Sequence, residues 1–128
     1  SAGIGEAIAK RLAAAGYDLT LVARREPELE RVASELGGTV KARCLVADLS
    51  AVDSLAELVD AAEEALGPID VLVNNAGILR DKTFHKMDDA DWDLVYRVHV
   101  EGAYKVTRAA WPHLREQAYG RVIFTALT

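Results

Sequence analysis

The sequence predicts an α/β fold in which a parallel sheet carries helices on both faces. The first observation is a strict alternation of helical and strand-like patterns along all 128 residues. The second is a set of short apolar runs without helical period, which are typical of strands in a parallel sheet. Because neighbouring parallel strands need a crossover helix, the alternation favours a doubly wound sheet. We find no linker or repeat and expect a single domain over residues 1–128.

The helices are identified by apolar residues that recur every three or four positions. Ile4, Ile8 and Leu12 form the first such stripe, and Pro27 suits the first position of the second helix. The predicted helices lie at residues 4–15, 27–36 and 89–117, with one more behind a capping box formed by Ser50 and Asp53. The apolar face of that third helix is formed by Leu55, Leu58, Val59, Ala62 and Leu66. Pro112 falls inside the helix at residues 89–117, and we expect it to kink or divide that helix.

The strands are short apolar runs, or runs that alternate apolar and charged residues. Residues 19–23 have no helical period and predict a buried strand. The predicted strands lie at residues 19–23, 40–46, 69–73 and 121–126. Cys44 falls in the second of them. As the sole cysteine it can form neither an internal disulfide nor a zinc site, so we expect a small buried apolar group and no metal.

Composition and charge argue against several classes of function. Hydrophobic residues make up 51% of the chain and charged residues 27%, which is ordinary for a globular protein. The net charge of −5 argues against a nucleic-acid partner, because such a surface needs a clustered basic patch. No apolar run reaches the length of a membrane span, so we expect no membrane partner and a cytoplasmic location.

The segment Ser1-Ala2-Gly3-Ile4-Gly5 stands immediately ahead of the first predicted helix. Glycine lets the backbone approach a phosphate closely, and the unpaired N–H groups at a helix N-terminus favour an anion. The segment therefore predicts a phosphate-binding loop. The alternative is an ordinary turn that leads into a helix.

Four motifs together resemble the short-chain dehydrogenase/reductase family. They are Asn74-Asn75-Ala76-Gly77 after a strand, the Ser1–Gly5 loop, Asp48-Leu49, and Gly120–Ile123 at the start of the last strand. The resemblance implies a Rossmann-like fold with strand order 3-2-1-4-5-6-7. The family's first strand is expected ahead of Ser1, so the chain is expected to be a fragment, a partial NAD(P)-binding domain incomplete at both ends. Without that strand, family strands 2 and 4 lose their shared neighbour, and stability alone is not expected.

The resemblance also assigns residues to a nicotinamide dinucleotide. The cofactor-binding residues so implied are Ser1, Gly3, Ile4, Gly5, Asp48, Leu49, Asn75, Ala76 and Gly77. The first four would line the pyrophosphate, the next two would meet the adenine, and the last three would lie along the adenosine ribose. Asn74 is expected to brace the sheet instead. For Asp48 and the asparagines, turn chemistry is the alternative.

Arg24 favours NADP(H) over NAD(H). It follows the predicted strand 19–23, and Ala23 takes the position at which NAD-preferring enzymes carry an acid for the ribose 2′-hydroxyl. A guanidinium pairs with the 2′-phosphate that an acid would repel. The alternative is that Arg24 and Arg25 are solvated turn residues, so NAD(H) stays open.

The resemblance places most catalytic residues outside this chain, which is itself expected to be inactive. The family's Tyr-x-x-x-Lys follows the fifth strand, and neither Tyr96 nor Tyr104 has a lysine four residues on. Leu127 stands where the catalytic serine is expected, unless Thr128 or a later residue takes that role. His99 stands where the family has an asparagine that holds a water in the proton relay. A neutral imidazole can also hold a water, and a hydrogen-bonded core histidine is the alternative.

The back half resembles one branch in particular, the dehydrogenase domain of the peroxisomal type 2 multifunctional enzymes, which oxidise (3R)-hydroxyacyl-CoA thioesters. The likeness lies in residues 77–84 and 106–112, whereas the front half is similar to bacterial NADP-type reductases. We therefore predict an NAD(P)-dependent oxidoreductase that transfers hydride between nicotinamide and a ketone or secondary alcohol, with a 3-oxoacyl or 3-hydroxyacyl thioester as leading substrate. A non-catalytic dinucleotide-binding or regulatory protein is the alternative, and a peroxisomal location stays open for a eukaryotic source.

The helix from Trp92 to Gln117 has a wide apolar surface. The residues that share one face at α-helical spacing, and that we expect to point inward, are Trp92, Val95, Tyr96, His99, Ala103, Thr107 and Ala110. In the family this helix commonly forms a subunit interface, so the resemblance implies a homodimer or homotetramer. The alternative is that the apolar surface is only core.

Overall fold

The computed structural model of the chain describes residues 3–80 and 82–126. Three positions singled out above lie outside the described residues: Ser1, Leu127 and Thr128. Helices and strands alternate as predicted, in the order α1 (Ile4–Ala14), β1 (Leu19–Ala23), α2 (Glu26–Ser34), β2 (Ala42–Val46), α3 (Leu55–Leu66), β3 (Val71–Asn74), α4 (Asp89–Tyr96), α5 (Ala103–Glu116) and β4 (Arg121–Phe124). A π-helical segment, Arg97–Gly102, joins α4 to α5.

The strands form two parallel pairs within the described part of the chain. Leu19 of β1 lies opposite Ala42 of β2, and Val71 of β3 lies opposite Arg121 of β4. These are the pairs that the family's strand order implies, since family strands 3 and 2, and 4 and 5, are neighbours. The predicted α/β class with parallel strands is therefore confirmed.

The chain divides into two compact units, each with its own strand pair. The first unit contains the residues up to Asp48 together with Asp60–Ile69. The second contains Leu49–Val59 and the residues from Asp70 onward, so that α3 contributes to both. The single domain expected from the sequence stays a prediction.

The first unit is built on an apolar core shared by α1, α2 and the β1–β2 pair. Its buried residues are Ala9, Ala13, Leu19, Val32 and Leu36. Ile4, a member of the predicted apolar stripe of α1, is 55% exposed. The packing of α1 falls on its middle and C-terminal turns, where Ala9 and Ala13 lie, and Ile4 at the first position stands beyond it. Residues 19–23 are likewise only partly buried, since Val22 is 37% exposed on the face opposite Leu21.

The second unit contains the first residues of α3 together with α4, the π-helical segment and α5, and the π-helical segment contacts both α4 and α5. Its buried hydrophobic residues are Leu55, Val59, Val98, Val106, Ala110 and Leu114. The last four recur at intervals of four or eight along the long helix, which gives one continuous inward face. The carboxylate of Asp88 accepts a hydrogen bond from the Asp91 N–H at 2.8 Å and so caps the start of α4.

The long helix is interrupted at the π-helical segment, whereas Pro112 was expected to kink or divide it, and a kink at Pro112 stays a prediction. Pro112 lies inside α5, which continues to Glu116, so the proline does not divide the helix. The irregular stretch is instead the π-helical segment, whose wider turns take up an extra residue. That extra residue changes the phase between the two parts of the helix.

The change of phase corrects the predicted inward face. Ala110 is fully buried and His99 is half-buried, as expected. Trp92 and Tyr96, which precede the π-helical segment, are 58% and 47% exposed. Their inward orientation was predicted from uniform α-helical spacing, and the helix does not keep that spacing.

In the described part of the chain, which includes the long helix, no helix is long and apolar enough to cross a membrane.

Candidate functional site

Gly3 immediately precedes α1 and has φ +153°, a conformation that L side chains rarely adopt. A Cβ there would meet nothing within 4 Å, so the backbone conformation rather than lack of space requires glycine. The Gly3 carbonyl accepts the first helical hydrogen bond, from the Ala7 N–H at 3.1 Å. The N–H groups of Ile4 and Gly5 therefore have no acceptor within the helix. This is the geometry with which a helix N-terminus receives a phosphate.

Glu6 adds a carboxylate to the first turn of α1, and cations hold it. Arg31 on α2 donates from Nη2 to Oε2 at 2.9 Å, and Lys10 donates from Nζ to Oε1 at 2.9 Å. These hydrogen bonds lower the pKa of Glu6 to about 2, and the bond from Arg31 has the larger effect. The side chain stays ionised at every ordinary pH.

Arg24 and Asp48 lie at one edge of the first unit's sheet. Arg24 directly follows β1 and Asp48 follows β2, and the last residues of the two strands, Ala23 and Val46, are opposite each other. Both side chains are exposed. Within residues 3–80 and 82–126, Arg24 forms no ion pair, so its guanidinium is available to an anion. The carboxyl edge of parallel strands is where α/β proteins bind ligands.

The asparagines of the second unit brace the end of β3. Asn74 donates from Nδ2 to Thr107 Oγ1 on α5 at 3.0 Å, as expected for a residue that braces the sheet. The Asn75 carboxamide oxygen accepts from Thr125 Oγ1 at 2.9 Å, just past the end of β4. The Thr125 N–H in turn donates to the Asn74 carbonyl at 3.1 Å. The segment that leads to Ala76 and Gly77 is therefore attached both to α5 and to the end of β4.

His99 contacts the next two residues of the same loop, Gly77 and Ile78. Its Nε2 lies 2.9 Å from both the N and the O of Ile78, and can accept from the first or donate to the second according to its tautomer. The ring also covers Gly77, where a Cβ would lie 2.6 Å from His99 Cε1. The hydrogen-bonded histidine weighed above is thus present, and a part in a proton relay stays a prediction.

Leu49 packs against the π-helical segment of the same unit. A Cβ on the buried Gly102 would lie 3.1 Å from the Leu49 carbonyl oxygen, so glycine permits the close approach. Beside this contact is a shallow polar depression of about 490 Å³, lined by residues 50–54, Arg97 and Glu101. No cofactor residue predicted from the sequence lines it. Among the described residues no group of His, Cys, Asp and Glu side chains could hold a metal ion.

The structure distributes the predicted cofactor residues over both units. Gly3, Ile4, Gly5, Arg24 and Asp48 belong to the first unit, and Leu49, Asn75, Ala76 and Gly77 to the second. Sequence reasoning placed Thr107 on the inward face of the long helix, but it did not identify Thr107 or Thr125 as a hydrogen-bond partner of the asparagines. Parallel pairing of the strands at 71–74 and 121–124 places Thr125 beside Asn75, so a register argument could have found it.

The model of the short chain dehydrogenase family matches residues 1–127. The chain belongs to this family. It is 45% identical over 128 residues to the peroxisomal hydratase-dehydrogenase-epimerase of Neurospora crassa, covering 99% of this chain and 14% of that protein. It is 40% identical over 126 residues to the acetoacetyl-CoA reductase of Allochromatium vinosum, covering 94% of this chain and 50% of that protein.

Among solved structures, a metagenomic short-chain oxidoreductase in complex with NADP matches with a TM-score of 0.89 and 34% identity. The match covers 98% of this chain and 58% of that one. The chain thus spans about half the length of the acetoacetyl-CoA reductase and of the metagenomic oxidoreductase, and 14% of the peroxisomal hydratase-dehydrogenase-epimerase. The Rossmann-like fold of the family is confirmed by these likenesses.

Because His99 lies against Gly77, we expect an alanine at position 77 to lower the stability of the protein. Gly77→Ala should destabilise the second unit by about 1–3 kcal/mol, because the new methyl group would displace the imidazole. The measurement is the free energy of unfolding in urea of the intact protein that carries this chain. Gly38→Ala is the matched control, since a Cβ at Gly38 meets nothing within 4 Å and its φ is not in the left-handed region.

The clash is isolated by repeating the substitution in a His99→Ala background. There the added methyl group has no ring to meet, so Gly77→Ala should cost no more than Gly38→Ala. An undiminished cost in that background would show that the ring is not what excludes a side chain at Gly77.

Proposed function

We propose that the protein is an NAD(P)-dependent oxidoreductase whose cofactor is bound by residues of this chain. The observation that carries the proposal is Gly3 at φ +153° before α1, in a chain whose residues 1–127 match the short chain dehydrogenase family. The cofactor would supply hydride transfer at its nicotinamide ring. The reaction would interconvert a ketone and a secondary alcohol.

The residues present fit such a cofactor. The N–H groups of Ile4 and Gly5 would bind the pyrophosphate, because they have no acceptor within the helix. Asp48 would accept from the adenine amino group and Leu49 would contact the ring. Asn75, Ala76 and Gly77 would lie along the adenosine ribose, with the loop held in shape by Thr125 and His99. Ser1 would line the pyrophosphate with Gly3, on the strength of the family likeness alone.

The preferred cofactor in this proposal is NADP(H). Arg24 is exposed, follows β1 directly and has no anionic partner within the described residues, so its guanidinium can pair with a 2′-phosphate. The metagenomic relative in complex with NADP supports the preference. NAD(H) is the alternative, in which Arg24 is only a solvated residue of the turn.

Arg24→Asp tests the preference. Because charge-assisted hydrogen bonds contribute about 1.5–3 kcal/mol, the variant should lose about tenfold to 100-fold in affinity for NADP⁺ relative to NAD⁺. The measurement is the pair of dissociation constants, obtained by calorimetry at one ionic strength. Arg25→Asp is the matched control with the same charge change, and it should alter the ratio far less. An unchanged ratio in Arg24→Asp would refute the assignment.

The substrate class we propose is a 3-oxoacyl or 3-hydroxyacyl thioester. It is supported by the likeness to the acetoacetyl-CoA reductase and to the peroxisomal hydratase-dehydrogenase-epimerase. The second likeness also makes a peroxisomal location the alternative to the cytoplasm.

An assay of the intact protein that carries this chain tests the reaction and the substrate class together. With NADPH, we expect kcat/KM for acetoacetyl-CoA to exceed that for simple short ketones by at least about tenfold, since binding energy from the CoA moiety contributes to catalysis. Equal activity on both would refute the thioester. Cofactor binding without hydride transfer to any carbonyl would favour the second candidate, a non-catalytic dinucleotide-binding or regulatory protein, to which the engagement of His99 with Ile78 points.

We further propose that the protein is a homodimer or homotetramer through the helix from Trp92 to Gln117. Its exposed apolar residues recur along one side of α4, the π-helical segment and α5: Trp92, Tyr96, Val100, Tyr104 and Trp111. A row of large exposed side chains is typical of a subunit interface.

Replacing members of this row tests the assembly. The double variant Trp92→Ser, Trp111→Ser should shift the intact protein to monomers at micromolar concentration, as measured by light scattering, because aromatic anchors contribute most of the binding energy at interfaces. The control replaces Leu79 and Phe84, which are 74% and 90% exposed but lie outside the helix. Dissociation by the control alone would place the interface elsewhere.

A further inference from the structure

Glu6 occupies a position from which a carboxylate ordinarily caps its own helix. It is the third residue of α1, and in a capping box such a residue accepts from the N–H of the residue before the helix. Here both carboxylate oxygens are instead bound to cations. Lys10 Nζ and Arg31 Nη1 donate to Oε1 at 2.9 and 3.3 Å, and Arg31 Nη2 donates to Oε2 at 2.9 Å.

Arg31 and Lys10 also bind other carboxylates, which lie on α2 or directly after it. Arg31 also donates to Glu28, three residues earlier on α2, at 3.3 Å. It donates as well to Glu35, which directly follows α2, at 3.2 Å. Lys10 lies 2.9 Å from Glu35 as well. These second partners orient Arg31 and Lys10. Because both cations bind the Glu6 carboxylate, that side chain is only 11% exposed.

This orientation bears on the site proposed above, because an ionised carboxylate and a phosphate favour the same place. Both are attracted by the partial positive charge and the unpaired N–H groups at a helix N-terminus. Glu6 remains ionised at all working pH values, since hydrogen bonds from Arg31 and Lys10 keep its pKa at about 2. Without those bonds its pKa would rise toward the ordinary value for glutamate, which is still well below neutral. A released Glu6 would therefore compete with the cofactor as an anion.

We propose that Arg31, with Lys10, is a positioning residue for cofactor binding: it holds the Glu6 carboxylate against α2 and so leaves the N–H groups at the start of α1 to the pyrophosphate. The inference rests on the proposed function and deepens it. Arg31 would touch no part of the cofactor. The simpler alternative is that the ion pairs only fasten α2 to α1.

The experiment uses the intact protein that carries this chain. It compares the dissociation constant of NADP⁺ for the wild type and three variants, Arg31→Gln, Glu6→Gln and the double variant, by calorimetry at one ionic strength. Arg31→Gln should weaken binding about 2- to 30-fold, the range that a charge at a helix N-terminus produces. Glu6→Gln should bind at least as tightly as the wild type. The double variant should recover to within about twofold of Glu6→Gln, since no carboxylate remains to compete.

Arg11→Gln is the matched control. Arg11 is an exposed cation on the same helix, in its last turn, so its removal changes the net charge equally without touching Glu6. Its effect should stay below about twofold, because the influence of a charge on a helix terminus falls off within one turn. A purely structural role for the cluster would give a different pattern, in which Glu6→Gln weakens binding as much as Arg31→Gln.

A second measurement follows Glu6 without the cofactor. Amide NMR of residues 3–6 should show slower hydrogen exchange in Arg31→Gln, where the carboxylate caps the helix, and wild-type exchange in the double variant. Unchanged exchange in Arg31→Gln would overturn the inference even if that variant binds poorly. Failure of the intact wild-type protein to bind any dinucleotide would overturn the proposed function, and the inference with it. If the wild type binds NADP⁺ but the double variant does not recover that affinity, the inference is overturned and the proposed function is not.

Discussion

The parallel pairing of β1 with β2, and of β3 with β4, brings the carboxyl ends of both strands of a pair to one edge. The rest of the structure depends on this constraint. In the first unit it places Arg24 and Asp48 at the same edge, although 23 residues of sequence lie between them. In the second unit it places Thr125 beside Asn75, so that their hydrogen bond closes the end of the pair. Parallel strands require crossover helices, and these supply the N-terminus of a helix near the same edge.

Close backbone contacts then shape the loops that leave those strands. The imidazole of His99 lies where a side chain at residue 77 would be, and the carbonyl of Leu49 approaches residue 102 closely. Both positions are glycine, and both contacts involve the π-helical segment. A wider turn at this point rotates the helix, so Trp92 and Tyr96 are exposed while Ala110 remains buried. The irregular helix and the glycines are therefore parts of one packing arrangement.

Ion pairs join neighbouring segments within each unit. Lys82 pairs with Asp91, and Arg80 lies 3.4 Å from the same carboxylate, so the loop after β3 is attached to the first turn of α4. The cluster of Glu6, Lys10 and Arg31 joins α1 to α2 in a similar way. Exposed ion pairs contribute little to stability on average. Their more specific effect is to decide where a carboxylate points, which matters most when that carboxylate belongs to the first turn of a helix.

The sequence by itself determined the order and type of the helices and strands, because apolar periodicity and the glycine and proline residues are local signals. Its four motifs also identified the family and, through it, Gly3, Arg24 and Asn75 as candidates. Only the tertiary structure decided which side of the long helix faces the core, since one π-helical turn changes the phase for everything before it. It also decided the partners of Asn75, His99 and Glu6, because hydrogen bonds between residues distant in sequence depend on packing that no local pattern contains.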